Sequence, residues 1–124
     1  MRSTNGQLYS CGLEASLDVI GGKWKVLILW HLYPHARRFG ELRRLVRGIS
    51  EKMLIQQLRE LEADGVVRRK IFREVPPKVE YSLTTFGVSL NKALAPLCTW
   101  GNKHMNRIEA AHRPGEPARG GVAP

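Results

Sequence analysis

The sequence predicts a mainly α-helical domain carrying one small β-hairpin, an α+β arrangement, and three observations point to it. Apolar residues recur at three- and four-residue steps over most of the chain. The period shortens to two between Val67 and Thr84, and Gly, Pro and Ser punctuate the changes. A length of 124 residues suits one domain with a core that needs neither disulfides nor metal.

Residues 1–10 read as a flexible polar leader. Leu13, Leu17 and Ile20 then fall at helical spacing, and Gly21 and Gly22 end that first helix. Lys23, Trp24 and Lys25 open a second, more apolar helix through Leu32, the expected central core helix, closed by Pro34. From Arg37 to Val46 a short amphipathic helix sets Phe39, Leu42, Leu45 and Val46 on one stripe, with arginines over the rest. After a brief connection at Gly48 and Ile49, Ser50 is a good N-cap for a helix from Glu51 to Asp64 that Gly65 ends. Two helices joined by so short a turn form a helix-turn-helix.

Apolar and polar residues roughly alternate from Val67 to Arg73 and again from Val79 to Thr84, with Pro76 and Pro77 between them. A hairpin placed directly after a helix-turn-helix is a wing. Thr84 or Thr85 then caps one long helix, in which Phe86, Leu90, Leu94, Leu97, Cys98, Gly101, Met105 and Ile108 recur at three- and four-residue steps and Pro96 introduces a kink. The last twelve residues, 113–124, are rich in Pro and Gly and read as a disordered tail, which leaves 11–112 as a winged helix-turn-helix domain.

Charge points to a polyanionic partner. The chain carries 20 Lys and Arg against 11 Asp and Glu, a formal net charge of +9. Between Lys23 and Lys78 stand 14 basic and 6 acidic residues, so +8 of that excess is central. No apolar run approaches the ~20 residues of a membrane span. The opening residues lack an apolar secretion segment, so the expected address is cytoplasmic. Two cysteines, Cys11 and Cys98, are too few for a disulfide scaffold and too far apart for a zinc knuckle. His31 and His35 are four apart with Pro34 between them, and neither has a ligand neighbour, so no metal site and no cofactor are expected. No nucleophile, base and acid set stands out, and Gly21, Gly22 and Lys23 lack the spacing of a phosphate loop, so no enzyme is expected.

With about 100° per residue, Leu54, Leu58 and Leu61 of the fourth helix point one way and Lys52, Gln56, Arg59 and Ala63 the other. The second face is free to enter the major groove of double-stranded DNA. Ser50, Lys52, Met53 and Gln56 lie at its leading end, where base edges are reached, and Arg59 follows on the same face. Arg38, Arg43 and Arg44 on the preceding helix suit backbone phosphates, and Arg73 and Lys78 flank a wing tip that can lie across a minor groove. Arg68, Arg69 and Lys70 serve either phosphates or the protection of an edge strand. Cys11 stands just before a helix start, and Cys98 on the apolar stripe of the long helix. Tyr9, Trp24, Trp30, Phe86 and Trp100 are either core or the lining of an effector pocket.

From Cys11 to about Gly101 the chain resembles the HxlR family of bacterial regulators, a branch of the MarR-like winged-helix proteins. The matching stretches are 20–24, 37–43, 48–50, 58–65 and 75–84, together with Gly87. The resemblance implies a homodimeric, sequence-specific DNA-binding transcriptional regulator acting on an inverted repeat. It places the dimer contacts on the terminal helices, here Leu90, Leu94, Leu97, Cys98, Gly101, Met105 and Ile108. It further implies that Cys11 is either a sensor of oxidants or electrophiles, as in some members, or a packed side chain at a subunit contact. Ile55 and Gln57 depart from the Thr and Arg common in relatives, so no operator sequence carries over. An RNA- or ribosome-associated winged-helix module is the alternative; it lacks the exposed aromatics interleaved with basic residues that single-stranded RNA recognition uses.

Overall fold

Eleven apolar side chains from three helices and the start of a strand close around one another to make the core, and the elements that carry them follow from the sequence pattern. The computed structural model describes residues 9–112; the expected tail and the first eight residues of the expected leader lie outside the described residues. The chain divides into two compact units, 1–91 and 92–124.

In the first unit, α1 (Gly12–Ile20) and α2 (Trp24–Leu32) are followed by β1 (Arg37–Arg38), α3 (Phe39–Leu45), α4 (Glu51–Ala63) and the hairpin β2 (Val67–Phe72) and β3 (Lys78–Leu83). Ile28, Leu29 and Leu32 of α2 bury with Leu42 of α3, Val46, Ile49, Leu54, Leu58 and Leu61 of α4, and Val66 and Val67 beyond it. At ~1.5–3 kcal/mol per fully buried aliphatic side chain, this cluster is the main stabilising term of the unit. By contrast α1 buries none of its residues, and Leu13 and Leu17 stay exposed.

The ends of α4 are set locally. Ser50 Oγ accepts from the Met53 N–H at 3.1 Å, the bond an N-cap serine makes. At the other end Val66 N–H donates to Leu61 O and Gly65 N–H to Glu62 O, with Gly65 at φ +75°, the left-handed closure that glycine favours.

The sheet has three strands in the order β1-β3-β2, all antiparallel, where the sequence predicts two. Arg37 pairs with Tyr81 and Arg38 with Glu80, so the expected helical start at Arg37 is a strand and α3 begins at Phe39. Arg38 is extended, at φ −82° and ψ 162°, and its N–H donates to Glu41 Oε1 at 2.9 Å, which caps α3.

Thr84 joins the hairpin, the end of α4 and the next helix. Its Oγ1 donates toward Gly65 O at 2.6 Å, with Val66 O at 3.2 Å, and accepts from the Gly87 N–H at 3.0 Å, which makes it the N-cap of α5 (Thr85–Lys103). A β-carbon at Gly87 would sit 2.1 Å from Val66 O, so only glycine lets the helix start come this close.

The expected single long helix is two: α5 runs through Pro96, and α6 (Met105–His112) follows, with the break at His104. There the His104 N–H is shared between Trp100 O and Gly101 O, both at 3.2 Å, a tightening turn that resets the helix. No helix among the described residues is long and apolar enough to cross a membrane.

Gly87→Ala should therefore destabilise the protein by about 1–3 kcal/mol through the forced retreat of the Val66 carbonyl. Urea unfolding monitored by circular dichroism measures it, and an unchanged midpoint would mean that the helix start moves aside freely.

Candidate nucleic-acid interface

A helix with three buried leucines on one side can only offer its other side. Lys52, Ile55, Gln56 and Arg59 of α4 are exposed and, with Glu51, line an open groove along the helix. Gln56 Nε2 donates to Glu60 Oε2 at 3.4 Å, so this side chain is held along the helix. Met53 is at the rim of exposure, and its sulfur accepts from Gln57 Nε2 at 3.5 Å.

Behind this face is a buried charge. Lys25 of α2, 5% exposed, donates its ammonium to Glu60 Oε1. A buried ammonium is costly unless paired, so the pair ties the rotation of α4 to α2. Glu60 thus receives Lys25 from behind and Gln56 from in front. Sequence reading takes Lys25 as part of a helix opening; its period alone, three before Ile28 and four before Leu29, is the signal that it faces inward.

The arginines of α3 stand beside this helix. Arg43 and Arg44 are exposed, as are Arg47 after the helix and Arg38, which stands in β1 as the N-cap and not on the helix as expected, and Arg43 reaches Glu51 at 3.2 Å, linking the third helix to the start of the fourth. Both partners are solvent-exposed, so this bond orients more than it stabilises. The Arg38 N–H beside Glu41 holds that carboxyl below the usual range, with Arg37, His35 and Arg44 adding to it. His31 is held below its ordinary value by burial and by the Arg37 guanidinium, whose Nε donates to the His31 carbonyl at 2.6 Å.

On the hairpin, Arg73 is exposed but Lys78 is half-buried, paired with Glu80 at 3.3 Å and set over the Phe72 ring, which Lys70 also approaches. Of the expected pair of wing cations Lys78 is thus engaged, while Arg73 has no ion pair among the described residues. Tyr81 and Arg69, opposite one another in the β2–β3 register, face α4 across a cavity with Ile55, Leu58, Arg59 and Glu62. Sequence reading gives Tyr81 no role, because its place depends on strand register.

Cys11 is exposed and stands at the N-cap of α1 in an extended conformation, its side chain making no cap bond. Glu14, one turn on, accepts from Ser10 N–H at 2.7 Å and from Ser10 Oγ at 3.2 Å. Leu90 is half-buried. In the second unit Leu94 is buried, Cys98, Gly101 and Ile108 are half-buried, and Leu97 and Met105 are exposed beside an exposed Trp100. Of the aromatics weighed for an effector pocket, Tyr9, Trp30 and Phe86 are also exposed, and half-buried Trp24 carries the Lys23 ammonium over its ring.

A capped helix with a buried back and a basic front, an arginine-bearing helix before it and a hairpin after it define a winged helix-turn-helix DNA-binding domain. The profile of the HxlR-like helix-turn-helix family matches residues 19–109, and the chain belongs to that family of transcriptional regulators. It is 55% identical over 100 residues to the uncharacterized HTH-type transcriptional regulator YtcD of Bacillus subtilis, covering 81% of this chain and 79% of that one. Among solved structures it is similar to the redox regulator HypR in its reduced form, with 46% identity and a TM-score of 0.75 over 81% of this chain and 99% of that one. Diamide-treated YodB from B. subtilis is similar at 31% identity and a TM-score of 0.65, over 77% of this chain and 96% of that one.

Glu60→Gln should leave Lys25 without its charge partner and cost about 1–3 kcal/mol, less than a fully buried pair because Glu60 keeps part of its side chain in water. Lys25→Met combined with Glu60→Gln should recover most of the loss. Denaturation midpoints decide; equal stability of Glu60→Gln and wild type would remove the pair from the account.

Proposed function

We propose that this regulator acts as a homodimer on an inverted-repeat operator, with residues 11–112 forming the DNA-binding and dimerising domain. The observation that carries this is the outward face of α4, where Lys52, Gln56 and Arg59 lie in one open groove opposite the buried leucines. Lys52, Met53 and Gln56, led in by Ser50, read base edges; glutamine pairs with adenine and lysine with guanine in the major groove. Arg59 serves the same groove. Arg38, Arg43 and Arg44 hold phosphates on one side, and Arg73 and Lys78 lay the wing on the other, Lys78 by exchanging Glu80 for DNA.

Two apolar surfaces support the dimer: Leu13 and Leu17 of α1, and Leu97, Trp100 and Met105 of the second unit, all exposed in a single chain. Leu90, Leu94, Cys98, Gly101 and Ile108 complete the proposed contact. Two recognition helices in such a dimer read half-sites about 34 Å apart.

Duplexes selected from a random pool at physiological salt should yield an inverted repeat with that spacing. Lys52→Ala, Gln56→Ala and Arg59→Ala together should abolish the preference for it; retention of the wild-type affinity and preference would sink the assignment of the reading face.

The same reading includes redox control through Cys11, supported by its exposure at a helix start and by similarity to the redox regulator HypR. Diamide, an azo oxidant, takes two electrons and two protons from two thiols to give a disulfide and its hydrazine. One thiol is Cys11; the other is Cys98 or a cysteine of the second copy. Diamide should release the operator from wild type and not from Cys11→Ser, by electrophoretic mobility shift. Equal release from both would remove Cys11 from the mechanism.

A further inference from the structure

Between α4 and the hairpin lies a cavity of about 190 Å³, lined by Ile55, Leu58, Arg59, Glu62, Arg69 and Tyr81. It is smaller than the ~300 Å³ at which small-molecule sites begin, so it suits one small group rather than a whole ligand. Its polar lining is two guanidinium groups, one carboxylate and one phenol. Arg69 Nε lies 3.7 Å from Glu62 Oε1, and both side chains keep more than two-fifths of their surface in water. The Tyr81 ring is half-buried, and among the described residues its hydroxyl has no hydrogen-bond partner. Burial pushes this phenol above its ordinary value, against the pull of Arg69 and Arg59, so it is a neutral O–H donor at physiological pH. The cavity therefore holds an unused donor and one net positive charge.

Its position says what the donor is for. Ile55 and Arg59 line this cavity and also the open groove along the outer face of α4. With α4 in the major groove, as proposed, a cavity that shares these two residues with the groove-facing side would border the sugar-phosphate strand at the groove edge. We infer that Tyr81 and Arg69, together with Arg59, form a seat for one backbone phosphate at the edge of the major groove, which Glu62 occupies in the DNA-free chain. The Arg69 guanidinium exchanges the Glu62 carboxylate for a phosphate oxygen, a charge-assisted bond of the same kind, and the Tyr81 hydroxyl donates to that phosphate. Register sets the pair side by side, since Arg69 and Tyr81 are directly opposite on β2 and β3. A phosphate seat carries no sequence information; it sets how deep and at what angle α4 enters. This inference rests on the proposed reading of α4 as the helix in the groove.

Fluorescence anisotropy with the selected operator and with an unrelated duplex, each over a range of salt, tests it. Arg69→Gln should weaken both complexes about tenfold and lower the slope of log affinity against log salt by about one. Tyr81→Phe keeps the ring and the fold; it should weaken both about threefold with the slope unchanged, because no charge is lost. Glu62→Gln should tighten both about threefold by removing the competitor for Arg69. A scan of single methylphosphonates should find one position in each half-site that costs wild type affinity and costs Arg69→Gln distinctly less. If Arg69→Gln and Tyr81→Phe bind as wild type while Lys52→Ala weakens the operator complex, the seat is overturned and the reading of α4 stands. If Lys52→Ala, Gln56→Ala and Arg59→Ala together also change nothing, that reading falls with it. Tight binding of inorganic phosphate to the DNA-free chain, lost in Arg69→Gln with operator affinity unchanged, would make this a small-anion site and overturn the assignment as well.

Discussion

The burial of Leu54, Leu58 and Leu61 on one side of α4 is the constraint from which the rest of the DNA-binding unit follows. All three are essentially closed to solvent, with α4 packed against α2 and β2. Rotating α4 by one residue, about 100°, would bring charged side chains into that interior at a cost no surface contact repays. What is left outward is then not free to vary: Lys52, Gln56 and Arg59 are presented because nothing else can be. The Lys25–Glu60 pair adds a directional term to this non-directional one. Hydrophobic burial tolerates small slips of a helix, whereas a buried ammonium tolerates few geometries, so the pair sharpens an orientation that the leucines select.

Where the wing lies relative to that helix depends on a second constraint, the corner at Thr84. Val66 O receives the Thr84 N–H at 3.1 Å and has the Thr84 hydroxyl at 3.2 Å, and the start of α5 comes against the same carbonyl through Gly87. One peptide group thus fixes the exit of the recognition helix, the return strand of the hairpin and the start of the next helix. The base of the wing is thereby tied to the end of α4, next to the cavity between them.

The legibility of these features in the sequence was uneven, and range in sequence explains most of it. α4 is legible because all its determinants are local: Ser50 at one end, Gly65 at the other and leucines at helical steps between. The family resemblance carried the fold class further than period alone, through short stretches that include Gly87, whose necessity becomes physical only once Val66 O is seen above it. β1 was illegible because two residues show no period, and Arg37 and Arg38 look like the start of an amphipathic helix until β3 is alongside. The division of the long helix was also illegible: α5 continues through Pro96, and the break falls at His104, where no Pro or Gly stands. Tyr81 and Lys25 were missed for the same reason as each other. One depends on strand register and the other on a partner thirty-five residues away.

The interface carries its own counterions. Arg43 is matched by Glu51, Arg69 by Glu62, and Lys78 by Glu80, while Arg44, Arg47, Lys52, Arg59 and Arg73 have no ion pair among the described residues. The two sets do different work. Unpaired cations supply the long-range field that draws a polyanion in, and their attraction is indifferent to sequence. Paired cations are already held in one geometry, and exchanging a carboxylate for a phosphate returns less net energy than an unpaired cation would gain, so they add alignment with a reduced share of affinity. A regulator must leave wrong sites as readily as it finds right ones. In the proposed reading, engaging three cations on internal carboxylates lowers affinity for every duplex alike, which leaves the proposed base-edge contacts of α4 a larger share of the total and so favours discrimination over retention.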